Sequence, residues 1–353
     1  MTDRVFGAPS RYIQGAGALA QLASLVARYG RRPFIIADAA TSAALRQEIE
    51  QQLKPSTDRV IFGLAGALCT DAEIARFIET ARALEADLLA GFGGGAAIGI
   101  AKGLAIATGL PLLTIPTVPC CHAPVSRFVE IGGEEGRAGA MRAMRLPPDA
   151  VLVDTTVLAS APPRLLIAGM GDALARRFEV EQAAGAGAAN LLEGRPTLLA
   201  AAAAEAAWHA IREHAVAALA LRTRRSGGEA LERVSEAMML LSGIAHESGG
   251  SSIAHALARG FAGLPACRTA LHGELVAVAL LAQLVFEARP AALLAELAAL
   301  YRALGLPVRL AEIGIVADPA AAVETAARRS LPIDAKRLAQ AILAADALPA
   351  GSK

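Results

Sequence analysis

The chain carries almost no net charge, +1 over 353 residues. Nothing electrostatic therefore draws it to nucleic acid or to an anionic membrane surface. Cysteines are few: Cys69, Cys120, Cys121 and Cys267 show no CxxC spacing and no disulfide framework, and they read as reduced thiols of a cytoplasmic protein. The opening Met1-Thr2-Asp3-Arg4-Val5-Phe6 lacks the apolar core of a secretion signal. Between Lys102 and Arg127 no charge interrupts the chain, which raises the question of a membrane span. Pro111, Pro116, Pro119 and Pro124 would break such a helix, so buried strand and loop are expected instead. No internal repeat is apparent.

What is present describes a packed globular protein, 54% hydrophobic and 19% charged, with 33 glycines and much alanine. The length favours two domains. Through the first half, short apolar runs (Phe34–Ala37, Val60–Phe62, Ala86–Gly91, Leu110–Ile115, Ala150–Asp154) alternate with helical patterns. Thr70-Asp71-Ala72-Glu73 has capping-box spacing and opens a helix through Leu84. A polar excursion from Gly132 to Gly139 reads as a hairpin. Strands spaced by helices predict an α/β domain with a mostly parallel sheet over residues 1–160. Beyond Ser160, Pro162 and Pro163 the strand signal fades, predicting an all-α domain over 161–353. Its helices are expected at Leu165–Glu181, Leu198–Ala218, Gly228–Gly243, Leu275–Arg289, Ala291–Leu304 and Pro319–Arg329.

Gly91-Phe92-Gly93-Gly94-Gly95 follows an apolar strand and precedes a helical stretch, Ala96–Ala107. Glycines let the backbone turn sharply and approach a ligand, and N–H groups at the helix start can bind phosphate. The run is neither a spaced GxGxxG nor a Walker A motif, and a plain tight βα turn fits it as well. Asp38, closing the first clear strand, stands where an acid accepts hydrogen bonds from an adenosine ribose and repels a 2′-phosphate; it also suits a helix entry. Among only six histidines, His255 and His272 stand seventeen positions apart, with Asp172 upstream in Gly169-Met170-Gly171-Asp172-Ala173-Leu174. Two imidazoles and a carboxylate are donors a borderline divalent metal accepts, and three protein ligands leave a coordination position open. With 33 acids in the chain, the third partner is not fixed by residue type alone.

Taken together, these motifs resemble the glycerol dehydrogenase branch of the group III, iron-containing or metal-dependent alcohol dehydrogenases, which share a dehydroquinate synthase-like fold. The resemblance runs in order through Gly91–Gly95 with Ala101-Lys102, Ile115-Pro116-Thr117, Ala123-Pro124-Val125-Ser126 and Val153-Asp154-Thr155. It continues through Ala161–Leu174, Glu247-Ser248-Gly249-Gly250, Ala254-His255-Ala256 and Leu271-His272-Gly273-Glu274. It implies Asp172, His255 and His272 as metal ligands in an interdomain cleft, holding zinc or, as in relatives, iron. It implies NAD bound by Asp38, Gly94, Gly95 and Ala96, with Thr117, Cys120, Ser126 and Phe128 lining the cofactor. The implied reaction is hydride transfer between a small alcohol and its carbonyl, the metal polarising the substrate oxygen. Homo-oligomers are common in the family.

Six departures bear on substrate and cofactor. Gly99 stands where the glycerol dehydrogenase pattern has an aspartate. His122 replaces the aspartate that contacts the polyol, and Cys120 is itself a substitution. His246 replaces a usual phenylalanine, and Arg127 follows Ser126 where small or apolar residues are usual. Ala258, beside Arg259, stands where the family has a second histidine. Imidazoles and cations in place of a carboxylate point to an anionic hydroxy or oxo substrate, with His122 as an extra metal ligand or a proton relay. His209 and His214 read as surface histidines of a helix. Two other readings share the fold: a cyclising lyase of the dehydroquinate synthase type, and a homologue that binds cofactors without turnover.

Overall fold

The computed structural model describes residues 3–132, 139–222, 228–330 and 334–348. Its contacts divide into two units, one of Gly7–Pro162 with Ala218–Gly243, the other of Met1–Phe6, Pro163–Ala217 and Ile244–Lys353.

The first unit is built on a six-stranded sheet of β1 (Tyr12–Gly15), β2 (Pro33–Ala37), β3 (Ile61–Leu64), β4 (Leu88–Gly93), β5 (Leu112–Pro116) and β8 (Ala150–Asp154). All its pairings are parallel, in the order β1-β8-β5-β4-β2-β3. A separate antiparallel pair joins β6 (Phe128–Ile131) to β7 (Ala140–Ala143), on either side of the stretch expected as a hairpin, of which 133–138 lie outside the described residues. Helices α1 (Leu22–Val26), α2 (Ala39–Leu53), α3 (Asp71–Ala83), α4 (Gly95–Thr108) and α5 (Thr155–Ala159) complete the alternation.

Alternate residues of β2 reach opposite cores, which is why the central strands read as unbroken apolar runs. Ile35 packs with Ile49 and Leu53 of α2, whereas Phe34 and Ile36 pack with Phe77 of α3 and with Ile100 and Leu104 of α4. Thr70 caps α3 as expected, its hydroxyl accepting from the Glu73 N–H at 3.2 Å. The box stays half made, because the Glu73 carboxylate turns instead to the Gly66 N–H and to Arg76.

The second unit contains α6 (Pro163–Gly185) and most of α7 (Leu198–Arg222). The chain then returns through α8 (Gly228–Glu236) to the sheet unit, where Glu232 accepts hydrogen bonds from Gln14 and from the Thr155 hydroxyl. The remaining helices are α9 (Ser242–Gly249), α10 (Ile253–Ala262), α11 (His272–Phe286), α12 (Ala291–Leu304), α13 (Pro319–Arg328) and α14 (Ala335–Asp346). The central α11 is buried from Leu275 to Leu284 and packs against α6, α10 and α14. A helix covered on all sides needs no polar face, so its sequence is apolar all round. Among the described residues no helix is long and apolar enough to cross a membrane.

Candidate active site

In the sheet unit, β2 and β4 are neighbours whose following helices cover opposite faces of the sheet. Such a switch point leaves a crevice at the carboxyl ends of the strands. Asp38, next after β2, caps α2 by accepting from the Thr41 N–H at 2.8 Å, and its other oxygen accepts from the Gly94 N–H at 2.8 Å. One carboxylate thus laces both sides of the crevice, with lone pairs left for a ribose hydroxyl.

The glycine run answers to this geometry. Gly93 has φ +152°, and a Cβ there would overlap the Asp38 carboxylate. Around Gly95 a Cβ would meet nothing within 4 Å. There the first-turn N–H groups of α4, which have no partner within the helix, are open to a phosphate. Ala96 follows, half-buried.

The segment after β5 closes over this turn. Thr117 donates its N–H to the Gly93 carbonyl at 3.1 Å, and its hydroxyl lies 3.1 Å from that of Thr41. Cys120 and Cys121, with sulfurs 3.8 Å apart, line a small pocket with Gly93, Gly94 and Gly95. The buried Lys102 of α4 fixes the segment by donating to the Ala123 and Phe128 carbonyls at 2.5 and 2.9 Å. Ser126, also buried, accepts from the Phe128 N–H at 3.0 Å. His122 is half-buried on the same segment, its carbonyl accepting from the N–H groups of Val125 and Ser126.

Two departures in this unit acquire a physical setting. A Cβ on Gly99 would come 3.1 Å from the sulfur of Cys69, so that thiol takes the room a side chain at 99 would need. Burial, reinforced by Asp71, pushes the Cys69 thiol up to about 11, which keeps it protonated and inert. Arg127 lines a different pocket, with Ala105, Gly109 and Met144 at the C-terminal end of α4.

In the helical unit, Asp172 (α6), His255 (α10) and His272 (the first residue of α11) bring one ligand atom each within 4.8 Å of one another. Missing side chains make the convergence possible. A Cβ on Gly171 would stand 2.6 Å from the Gly273 carbonyl, and one on Gly273 would overlap the Ala168 carbonyl. Only glycines let α11 start this close to α6. Asp172 is fully buried and His255 nearly so, while the His272 side chain is 50% exposed, leaving one side of the group accessible. His255 Nε2 lies 2.7 Å and His272 Nε2 3.7 Å from Asp172 Oδ1.

Sequence reading missed two participants on α6, Arg176 and Glu179, although they follow Asp172 at helical spacing on one face. Both are fully buried. Glu179 accepts from the N–H groups of Ser252 and His255, and its second oxygen lies 2.6 Å from His255 Nδ1. With a carboxylate beside the far ring nitrogen, Nε2 is the ring atom that faces Asp172. Burial works against the Glu179 charge, but the His255 ring and Arg176 outweigh it and hold its pKa well below the usual carboxylate range. For His255, burial and the Arg176 charge lower the pKa, and the two carboxylates override them to leave it raised. Oxygen and nitrogen donors that converge, with one imidazole oriented from behind, fit a divalent ion.

Arg176 presents Nη1 to His246 Nδ1 at 2.7 Å and Nη2 to His255 Nε2 at 2.5 Å, with Asp172 Oδ1 at 3.2 Å. The departure at His246 thus lies beside the candidate ligands, coupled to a cation on α6. Arg259 is exposed, as is His209, which pairs with Glu205.

Comparison with known proteins places these features in a family. The model of the iron-containing alcohol dehydrogenases matches residues 9–155. A glycerol dehydrogenase of Escherichia coli O6:H1 is 34% identical over 316 residues, 90% of this chain and 86% of that protein. A glycolaldehyde reductase of Halobacterium salinarum is 33% identical, covering 88% and 85%. The crystal structure of a probable glycerol dehydrogenase from Sinorhizobium meliloti 1021 superposes with a TM-score of 0.91 at 32% identity, over 98% of this chain and 99% of that one. The chain belongs to the iron-containing alcohol dehydrogenase family and is an NAD-dependent, metal-dependent oxidoreductase of alcohols and carbonyls.

Proposed function

We propose that this enzyme interconverts a small polyol or hydroxy acid with its carbonyl, and that zinc is held by Asp172, His255 and His272. The observation that carries the reading is the convergence of those three donors around an exposed imidazole edge, with Glu179 behind His255. A divalent ion there supplies Lewis-acid polarisation of the substrate oxygen. The protein's own residues do the rest. Glu179 holds His255 in one tautomer, and the buried Asp172 keeps its carboxylate in place by helix packing. In the sheet unit, Asp38 accepts from the ribose of NAD and excludes a 2′-phosphate by charge. The amides of Gly95 and Ala96 receive the pyrophosphate, and Thr117, Cys120, Ser126 and Phe128 shape the segment beside it. His122 acts in proton transfer or as a further ligand.

Glycerol and glycolaldehyde are the substrates named for the relatives, and they head the candidates. The His122 and His246 departures, with Arg176 beside the ligands, extend them to substrates bearing a carboxylate. A steady-state screen of glycerol, neutral diols, 2-hydroxy acids and phosphorylated alcohols, with Zn2+ or Fe2+ and with NAD+ or NADP+, decides this. A kcat/KM for hydroxy acids at or above that for glycerol supports the anionic class; glycerol and neutral diols far ahead of every acid would remove it.

A further inference from the structure

Arg176 is a full positive charge without solvent, and its Nη2 lies against two of the three candidate ligand atoms, His255 Nε2 at 2.5 Å and Asp172 Oδ1 at 3.2 Å. The arrangement sets a conflict on one nitrogen. Asp172 Oδ1, 2.7 Å from His255 Nε2, accepts only and asks that nitrogen to donate. The guanidinium donates only and asks the same nitrogen to accept. With Nδ1 turned to Glu179, Nε2 has one position to offer and two groups facing it. A divalent cation between Asp172 and His255 would take both lone pairs at once, but it would also meet the guanidinium charge at close range in a buried setting where such repulsion is strong. The guanidinium has a second foothold, with Nη1 on His246 Nδ1 at 2.7 Å and on Glu179 Oε2 at 3.3 Å.

We propose that Arg176 is a resident cation that competes with the divalent metal for Asp172 and His255, and that His246 and Glu179 hold it when the metal displaces it. Metal loading is then an exchange of one cation for another, and its affinity is set by the arginine as well as by the three ligands. This rests on the metal reading above, but its prediction concerns binding alone. A residue that merely oriented Asp172 would strengthen metal binding; a competitor weakens it, so the sign of a single substitution separates the two.

The test is a competition titration of chelator-stripped protein with Zn2+ against a chromophoric chelator, without substrate or NAD. Arg176→Leu is expected to bind Zn2+ at least tenfold tighter than wild type, and to show a larger rise in melting temperature on adding the metal. His246→Phe removes the acceptor for the displaced guanidinium, so it is expected to bind Zn2+ more weakly. In the double variant the His246 effect should vanish, because the group it serves is gone. Equal or weaker binding by Arg176→Leu overturns the proposal. Should that variant not fold, a His246→Phe protein binding Zn2+ as well as wild type overturns it instead. If no variant binds Zn2+ and Asp172→Asn changes nothing, the metal reading and this proposal fall together.

Discussion

At the end of β4 the chain offers a ligand its backbone, with open space around Gly95 and the amides of α4 beneath it. On α6 it offers side chains, with Asp172, Arg176 and Glu179 on one helix face against His246, His255 and His272. The first region is made by leaving side chains out, and Gly93 is held to glycine by its backbone angle and by the Asp38 carboxylate. The second is made by crowding charges together out of water, where each is tolerable only because another offsets it. A backbone site tolerates loss of charge and fails on gain of bulk. A buried charge cluster should do the reverse.

That contrast can be broken at several points. The largest effect is expected from Asp172→Ala, which removes the carboxylate that faces both histidines. Turnover should fall on the order of a thousandfold, the equivalent of several kcal/mol of lost transition-state stabilisation, measured as kcat/KM at saturating Zn2+. Glu179→Gln leaves the ligands in place and loosens only the His255 ring, so Zn2+ affinity should drop about 10- to 100-fold in a chelator competition. Unchanged affinity would mean that the ring is fixed by packing and not by its carboxylate.

In the sheet unit, Gly93→Ala forces a side chain into a left-handed conformation and against Asp38. It should cost about 1–3 kcal/mol in urea unfolding and weaken NADH binding in fluorescence titration. The smallest change in stability should come from Gly95→Ala, whose Cβ meets open space; stability should move by less than about 1 kcal/mol. Its NADH affinity should nonetheless fall, because the methyl stands where the phosphate approaches. Full NADH affinity in this variant would remove Gly95 from the site and with it the backbone half of the comparison.

The glycine turn was legible because everything it needs is local: a strand, missing side chains and a helix start within a dozen residues. The central strands were legible for the same reason, as runs buried on both faces. β1 was not, because four residues at a sheet edge carry too little pattern, and neither were α9, α10 and α14. α10 is short and buried on most faces, so no polar stripe marks it. That α8 packs with the sheet unit, through Glu232 on Gln14 and Thr155, has no local signature at all. The candidate metal ligands lie up to a hundred residues apart, and the histidines alone left the acid undecided; the ordered resemblance to a family supplied Asp172.

By itself the sequence determined the α/β-then-α layout, the glycine-rich turn between a strand and a helix, and the presence of donor types that suit a metal. Those follow from periodicity, from absent side chains and from the chemistry of imidazole and carboxylate, all of which are properties of residue type and spacing. Only the tertiary structure decided which charges share a buried space. Arg176 reads along the chain as one of two adjacent arginines on a long helix. Helix packing through Gly171 and Gly273 brings His272 to the Asp172 carboxylate on the same face as that guanidinium, with Asp172 and Arg176 both fully buried.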